Sequence, residues 1–396
     1  MRSFKLTAAL SLALALCLLL SACGGSTPKY DPDKAVDPAS VEDICYFATG
    51  LKTDETIATV DGEPVTAGEL LYGIVSVVDS MYNYYAYHGL QEDPWDSDLA
   101  EGKDMRRYVV EDSLNVCASR VLLFSHAEQE GIVLTEEDLS GVESAVSYAV
   151  SMAEQDGKSL DAFLREYGLT EELYRMNVQC ESYLDHLSRL YFADADAEAI
   201  LNYLVNEKKL FRAAHILIST EDPDNDYESL GEADMEKKRI FAEGLLSRIR
   251  SSGDPQDTFL SLMARYTDDP GLESNPNGYL GTPGQFVEEF ENAVLDLEVG
   301  EISDVVQSEY GFHIIMRLPL NVDPEEYRDD YNNASVSALL DKWVADAEIV
   351  TRPAYDKLDA EKIFDAVSAY RDAVDAAAEA AAAGGSYSSS ASSSAD

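Results

Sequence analysis

The spacing of apolar residues predicts helices over most of the first half of the chain. A short strand at Thr56–Val60 and a turn at Asp61-Gly62 come first. The next helix begins with a capping box formed by Thr66 and Glu69. One stripe of this helix is predicted to be buried: Leu70, Ile74, Val77, Met81 and Tyr84. Further helices are predicted from Met105 to Glu130, from Thr135 onward, from Thr170 to about Phe192, and from Asp194 to Lys209.

The pattern changes from Lys209 onward, where strand-like segments alternate with two helices. Strands are predicted from Phe211 to Ser219, near Tyr279, near Val305 and from Phe312 to Leu318, with helices around Phe241 and Phe259. Beyond them are predicted a helix from Asp323 to Ala347 with Leu339, Leu340, Trp343 and Val344 buried, an Ala-rich helix after Phe364, and a disordered Gly/Ser tail from Gly384. The predicted fold class is α+β.

The N-terminus has the features of an export signal. Arg2 and Lys5 precede an apolar run from Leu6 to Leu20, which is too short to span a bilayer. The segment Leu20-Ser21-Ala22-Cys23 resembles the lipobox of bacterial lipoproteins, in which the cysteine receives a diacylglycerol. This resemblance implies lipidation of Cys23 and anchoring at the extracytoplasmic face of the cell membrane. The alternative is an ordinary secretory signal, with Cys23 merely near the cleavage site.

The charge balance of the chain limits its partners. Its 29 Lys and Arg residues stand against 75 Asp and Glu residues, giving a net charge of −46. Such a surface repels phosphate backbones and anionic lipid headgroups, so nucleic acid is not expected as a partner, and any membrane attachment must be covalent or apolar rather than electrostatic. The spacing of Cys45, Cys117 and Cys180 matches neither a disulfide framework nor a zinc site, although one disulfide among them is left open. No cofactor is predicted.

Two of the five histidines lie in predicted strands. On paired strands of one small sheet, His215 and His313 would lie side by side and share hydrogen bonds. The alternative is a pair of hydrogen-bonded core histidines. The other three, His88, His126 and His186, fall in or near helices, and we interpret them as structural or exposed.

Several separated segments between Lys209 and Leu318 resemble the parvulin family of peptidyl-prolyl isomerases. They occur in order and with family-like spacing: Ala213–Leu217, Tyr266–Pro270, Asn277–Gly281, Pro283–Phe290, Leu297–Ile302 and Tyr310–Ile315. Outside this region, Ile57–Ala67 and Leu114–Leu139 resemble the N-terminal chaperone region of SurA- and PrsA-type foldases. Trp343–Val350 resembles the segment that folds back onto that region. The resemblance implies a mostly helical chaperone domain with an inserted parvulin-type domain, which has a four-stranded antiparallel sheet and surrounding helices.

The resemblance also implies an order of domains and a function. The domains are a lipoprotein signal peptide at 1–22, a flexible tether at 23–54, a chaperone region at 55–208, an isomerase domain at 209–320, a C-terminal helical segment packing back at 321–364, and an Ala-rich helix with a disordered tail at 365–396. The implied function is that of a membrane-anchored foldase that isomerises Xaa-Pro bonds in unfolded or partly folded exported polypeptides. A homodimer is left open.

Site residues follow from the resemblance position by position. It implies His215, Asp269 and His313 as catalytic residues, with Asp268 as an alternative for the acid. It implies four substrate-binding residues: Leu280, Phe286, Phe290 and Ser308. The chain departs from the family at Gly278-Tyr279-Leu280-Gly281, where Gly-Asp-Leu-Gly is usual, and the loop before Pro283 is shorter than usual. The loop after His215 is acidic at Glu221, Asp222, Asp224 and Asp226, so phosphorylated Ser/Thr-Pro substrates are not expected.

Other functions fit the residues less well. A non-catalytic holdase with a degenerate parvulin domain is the main alternative, in which the helical region binds unfolded chains. A metal site made of His215, Asp269 and His313 is weaker, because their spacing is unlike any compact ligand motif. A solute-binding lipoprotein is weaker still, because the chain has no alternating βαβ pattern.

Overall fold

The structure, a computed structural model, describes residues 27–97, 102–222 and 228–388. The predicted signal peptide and Cys23, the acidic residues Asp224 and Asp226, and the end of the predicted Gly/Ser tail lie outside the described residues. In the described part of the chain, no helix combines the length and apolar character needed to cross a membrane. The chain forms two compact units: a helical unit (Met1–Leu190 with Val336–Asp396) and a sheet unit (Tyr191–Ser335).

The helical unit is built from segments at both ends of the chain. Its N-terminal elements are α1 (Ile44–Thr49), β1 (Thr56–Val60), β2 (Glu63–Thr66), α2 (Ala67–His88), α3 (Met105–Gln129), α4 (Glu136–Gln155), α5 (Leu160–Arg165) and most of α6 (Glu171–Phe192). Its C-terminal elements are the end of α11 (Arg328–Asp346), β9 (Ile349–Thr351) and α12 (Ala360–Ser388). Strand β9 lies antiparallel to β1 in the sheet order β2-β1-β9, so a late segment completes a sheet that begins early in the chain.

The first long helix begins where its capping box predicts. The Thr66 side chain accepts a hydrogen bond from the Glu69 backbone, and the Glu69 carboxylate accepts one from the Thr66 backbone. The predicted burial of Tyr84 is wrong, because Tyr84 is 50% exposed and Tyr85 is 6% exposed. Tyr85 follows the buried Val78 by seven residues, or two helical turns, and therefore continues the buried face.

Helix α12 contributes to the core of the helical unit. The Ala-rich segment after Phe364 is part of one continuous helix that begins at Ala360 and reaches Ser388. The prediction of a disordered tail from Gly384 is therefore wrong for residues 384–388. Ile363, Val367 and Tyr370 follow one another at helical spacing and are at most 3% exposed. This apolar stripe buries α12 against the other helices of the unit.

The three described cysteines of the helical unit are free thiols, with Cys45 and Cys117 buried and Cys180 partly buried. Burial raises the pKa of Cys45 to about 12 and the pKa values of Cys117 and Cys180 to about 11. All three thiols are therefore protonated near neutral pH and pack as small apolar groups.

The described part of the sheet unit contains a main antiparallel sheet, a separate two-stranded antiparallel pair, and the helices around them. Its elements are α7 (Ala197–Asn206), β3 (Phe211–Ser219), β4 (Glu221–Asp222), β5 (Glu228–Ser229), α8 (Glu232–Arg250), α9 (Pro255–Tyr266), β6 (Tyr279–Gly281), α10 (Glu288–Asp296), β7 (Val306–Ser308), β8 (Gly311–Leu318) and the start of α11. Four strands form the main sheet in the order β6-β3-β8-β7, and every neighbouring pair is antiparallel. The predicted α+β fold with a four-stranded antiparallel sheet is confirmed.

The two faces of this sheet have different coverings because alternate residues of a strand point to opposite sides. Ile216 and Ile314 lie on the face that packs against α8 and α9. Phe211, Ala213 and Ile315 lie on the other face and pack against α10. Outside the sheet, α7 packs on the segment that follows β8, which explains why the compact unit extends to Ser335. The predicted boundaries of the functional domains stay predictions. The predicted flexible tether at 23–54 is wrong in its second half, because it contains α1, whose Ile44, Cys45 and Phe47 are buried in the core of the helical unit.

Candidate active site

Two adjacent strands place two histidines beside each other on the α10 face of the sheet. In the β3–β8 register, Leu217 lies opposite His313, and His215 lies two residues from Leu217 on the same face. The imidazoles are therefore diagonal neighbours, with 3.1 Å between the Nδ1 atoms. Their rings are nearly parallel, with an interplanar angle of 18°. The side-by-side arrangement predicted for His215 and His313 is present.

Each outer ring nitrogen of this pair has a partner from a neighbouring segment. His215 Nε2 lies 3.2 Å from Oδ2 of Asp269, in the loop after α9, and His313 Nε2 lies 2.7 Å from the hydroxyl of Ser308 on β7. Asp268 points elsewhere, because its carboxylate accepts a hydrogen bond from the Ser219 backbone at 3.0 Å. The structure therefore places Asp269, and not Asp268, beside the histidines.

With Asp269 ionised and both imidazoles neutral, only one proton order satisfies this chain of contacts. A carboxylate only accepts, so His215 donates from Nε2 and its Nδ1 accepts from His313 Nδ1. The Nε2 of His313 is then an acceptor and takes the hydroxyl proton of Ser308. The Ser308 oxygen in turn accepts from the Tyr310 backbone at 3.2 Å. All four ring nitrogens are paired inside the protein.

The environment favours a neutral His313 and an ionised Asp269. Burial, and secondarily the nearby His215, lowers the pKa of His313 to about 4. Burial alone would raise the pKa of Asp269, but hydrogen bonds from His215, Tyr279 and the Gly271 backbone outweigh it and hold that pKa at about 2. Near neutral pH, the network therefore has a neutral His313 and an ionised Asp269.

Aromatic side chains form the wall of a cleft above the histidines. Phe290 on α10 is 3% exposed, and its ring lies edge to face with both imidazoles, at 5.3 Å from His215 and 5.8 Å from His313. Phe286 stacks on Phe290 with 5.4 Å between ring centroids. The cleft has a volume of about 490 Å³ and is lined by His215, Leu217, Asp269, Pro270, Tyr279, Gly284, Gln285, Phe286, Val287, Phe290, Tyr310 and His313.

The structure does not place Leu280 in this cleft, which corrects its predicted substrate-binding position. Tyr279 pairs with Ala213 in the sheet and therefore shares the face of His215. Leu280, the next residue of β6, points to the opposite face and is 37% exposed. Tyr279 lines the cleft instead, although the sequence analysis noted it only as a departure from the family pattern. Ser308 lies in the hydrogen-bond chain behind His313 and is not a lining residue.

Glu291 is a further site-forming residue that the sequence analysis missed. Its carboxylate accepts hydrogen bonds from the backbone N–H groups of Gly284, Gln285 and Phe286, at 2.8 to 2.9 Å. Burial alone would raise the pKa of Glu291, but these three donors outweigh it and lower the pKa. Glu291 thus ties the loop that carries Phe286 to α10, which carries Phe290. An acid in the first turn of a helix after a Gly-containing loop was the available signal.

The described residues include no group of three or more His, Cys, Asp or Glu side chains arranged to hold a metal ion. In the candidate site itself, the nitrogens of His215 and His313 point to each other and to hydrogen-bonding partners instead of converging on one point. The arrangement has the features of a hydrogen-bonded floor beneath an apolar cleft, and the hydroxyl that donates to His313, that of Ser308, does not line the cleft.

Comparison with known proteins identifies the sheet unit. The PPIC-type PPIase domain family (Rotamase) matches residues 215–318, which contain both histidines, Asp269 and the aromatic wall. This part of the chain is therefore a PPIC-type peptidyl-prolyl isomerase domain, and the predicted resemblance to parvulins is confirmed.

Longer similarities connect the chain to foldases and chaperones. The foldase protein PrsA of Geobacillus sp. (strain WCH70) is 30% identical over 161 residues, which is 37% of this chain and 50% of that protein. The foldase protein PrsA of Caldanaerobacter subterraneus subsp. tengcongensis is 26% identical over 282 residues, 71% of this chain and 78% of that protein. The chaperone SurA of Chromohalobacter salexigens is 38% identical over 141 residues, 33% of this chain and 29% of that protein. The chain thus spans about half the length of the first of these relatives.

Some solved structures are similar to this chain at lower sequence identity. PrsA from Bacillus cereus is 16% identical with a TM-score of 0.31, covering 74% of this chain and 91% of that chain. A peptidyl-prolyl isomerase from Candida albicans is 23% identical with a TM-score of 0.25, covering 31% of this chain and 73% of that chain.

Proposed function

We propose that this chain, whose residues 215–318 match the PPIC-type isomerase family, is a foldase that isomerises Xaa-Pro bonds in exported polypeptides. The observation that carries the proposal is the paired His215 and His313, with every ring nitrogen hydrogen-bonded, at the base of an aromatic cleft. The names of the similar proteins, foldase and chaperone, support unfolded polypeptides as partners.

The cleft suits a reaction that breaks no covalent bond. The barrier to Xaa-Pro rotation is about 18–20 kcal/mol and comes from amide resonance. Water stabilises the polar, planar amide more than the twisted one, so a site that excludes water favours the twisted form. Phe286 and Phe290 would hold the pyrrolidine ring, above a floor that offers no unpaired ring nitrogen. A tenfold acceleration requires about 1.4 kcal/mol of such preference.

The proposal is tested by the exchange rate of a proline peptide. The full mature chain should accelerate cis/trans exchange of a short Xaa-Pro peptide, as followed by NMR exchange spectroscopy. His215→Ala and His313→Ala should each lower kcat/KM by at least about tenfold, because either change breaks the hydrogen-bonded floor. His88→Ala is the matched control, since His88 is an exposed histidine of the helical unit. Absence of acceleration by the unmodified chain would refute the catalytic proposal.

We also propose that the protein acts on the extracytoplasmic face of the membrane, anchored through a lipid on Cys23. The basic N-terminus, the short apolar run and the lipobox-like Leu20–Cys23 support this location. A lipid anchor would also hold a chain with a net charge of −46 at a surface that its own charge would avoid. Cys23→Ser should abolish radiolabelled fatty-acid incorporation and release the protein from membranes. If the variant stayed membrane-bound, the anchor would lie elsewhere.

The helical unit supports a holdase as the second candidate. A cavity of about 580 Å³ in this unit is lined largely by apolar residues of α3, α6 and α11, among them Val116, Leu123, Val178, Leu184 and Leu340. Such a surface could cover apolar segments of an unfolded chain. Suppression of client aggregation separates the two candidates. A pure holdase should be as effective with His215→Ala and His313→Ala as without them.

A further inference from the structure

We propose, building on the isomerase function proposed above, that Tyr279 is a positioning residue. Its hydroxyl fixes the Asp269 carboxylate against His215 and thereby keeps the histidine pair in one proton order. Tyr279 stands where the resemblance leads one to expect an aspartate, so the proposed role of the phenol is specific to this chain.

The contacts of Tyr279 connect the wall of the cleft to its floor. The Tyr279 hydroxyl donates to Asp269 Oδ2 at 2.8 Å, the same oxygen that accepts from His215 Nε2. The Tyr279 ring lies edge to face with His215 at 5.5 Å and with Phe286 at 5.9 Å. One side chain therefore contacts the acid, one histidine and the aromatic wall.

The loop before β6 leaves space for the phenol. Gly271 lies two residues after Asp269 and donates its backbone N–H to Asp269 Oδ1 at 3.0 Å. A Cβ at Gly271 would lie 2.0 Å from the Tyr279 hydroxyl oxygen, a distance at which the atoms overlap. The absence of a side chain at 271 is thus matched to the presence of the hydroxyl at 279.

The Tyr279 hydroxyl stays protonated, and so remains a hydrogen-bond donor, at neutral and moderately alkaline pH. Burial, and secondarily the hydrogen bond to Asp269, raises the pKa of Tyr279 to about 12. Without the hydroxyl, Asp269 Oδ2 would keep only the 3.2 Å contact with His215. The carboxylate would then be freer to rotate, and the Nε2 proton of His215 would lose a fixed acceptor.

The test removes the hydroxyl while keeping the ring. Tyr279→Phe should lower kcat/KM for an Xaa-Pro peptide by about three- to tenfold, the effect of one lost hydrogen bond. Its spectroscopic signature should be faster solvent exchange and an upfield shift of the His215 Nε2 proton in the NMR spectrum. Tyr266→Phe, which removes a hydroxyl from α9 outside the cleft, is the matched control and should change neither quantity.

A double-mutant cycle with Gly271→Ala tests the geometry directly. Alone, Gly271→Ala should displace the phenol and reproduce both effects of Tyr279→Phe. In the Tyr279→Phe background, Gly271→Ala should add little. The phenol oxygen that the new Cβ would overlap is absent there, and Cζ of the ring lies 3.1 Å from the Cβ position. Independent, additive effects would overturn the proposal, as would an unchanged ring proton in Tyr279→Phe. Because the ring proton is observed without turnover, it decides the role of Tyr279 even if the chain proves to have no isomerase activity.

Discussion

Replacing Glu291 by glutamine should loosen the loop that holds Phe286. Glutamine can keep the two hydrogen bonds to Oε1, from Gln285 and Phe286, but its amide nitrogen cannot accept the Gly284 N–H. Hydrogen bonds to a charged group contribute about 1.5–3 kcal/mol, and neutral ones about 0.5–1.5 kcal/mol. Losing the bond from Gly284 should by itself reduce the anchoring of the loop by about 1.5–3 kcal/mol, and the weaker bonds from Gln285 and Phe286 add to this loss.

Amide hydrogen exchange measures this anchoring without assuming that the two units unfold together. The Gln285 and Phe286 amides of Glu291→Gln should exchange at least about tenfold faster, and KM for a proline peptide should rise because the aromatic wall is less ordered. Glu289→Gln is the control, since Glu289 is exposed on the same helical turn. Wild-type exchange at both amides in Glu291→Gln, or equal acceleration in the control, would refute the reasoning.

The anchoring of this loop should depend on pH through the ionisation of Glu291. The pKa of Glu291 is lower in the folded protein than its ordinary value of 4.5. Its stabilising contribution is therefore complete above that ordinary value and is lost as the pH falls through the lowered native pKa. In acid, the exchange rates of the unmodified protein should approach those of Glu291→Gln.

Three further predictions concern stability. The pKa of His313 is about 4 in the folded protein against an ordinary value of 6.5, so the unfolded chain takes up a proton first. Lowering the pH from 6.5 towards 4 should destabilise the sheet unit by up to about 3 kcal/mol, and a denaturation series in His313→Gln should lose this slope. Gly311→Ala should destabilise the sheet unit by about 1–3 kcal/mol in urea, because Gly311 has a φ of 142° and a Cβ would lie 2.3 Å from a carbonyl oxygen of β3. Gly244→Ala, in an open and exposed part of α8, should have the opposite sign, by about 1 kcal/mol. Arg120→Met should destabilise the helical unit by about 1–3 kcal/mol in the same assay, because the buried carboxylate of Glu69 loses its ion pair at 2.9 Å and keeps only its hydrogen bonds from Thr66. An unchanged stability would contradict this.

Local sequence patterns predicted the elements that depend on local interactions. The capping box at Thr66 and Glu69 sets the start of α2, and the strand predicted from Phe211 to Ser219 has the bounds of β3. Such features depend on hydrogen bonds and periodicity within a few residues, so they can be read from a short segment. Separated motifs also predicted the parvulin resemblance and, with it, His215 and His313 as neighbours.

The sequence by itself thus determined the order of elements and the residue types available for a site, including two histidines, two adjacent acids and the aromatic side chains after Gly284. Only the tertiary structure decided how they meet, because the contacts join residues far apart in the chain. His215 and His313 are 98 residues apart, and His215 and Asp269 are 54 apart. The register of β3 on β8 and the path of the loop after α9 select Asp269 over Asp268, and the parity of β6 selects Tyr279 over Leu280. A shift of one residue in the register of β3 on β8, or along β6, would exchange the side chains on the two faces of the sheet. No local sequence preference distinguishes the shifted register from the observed one.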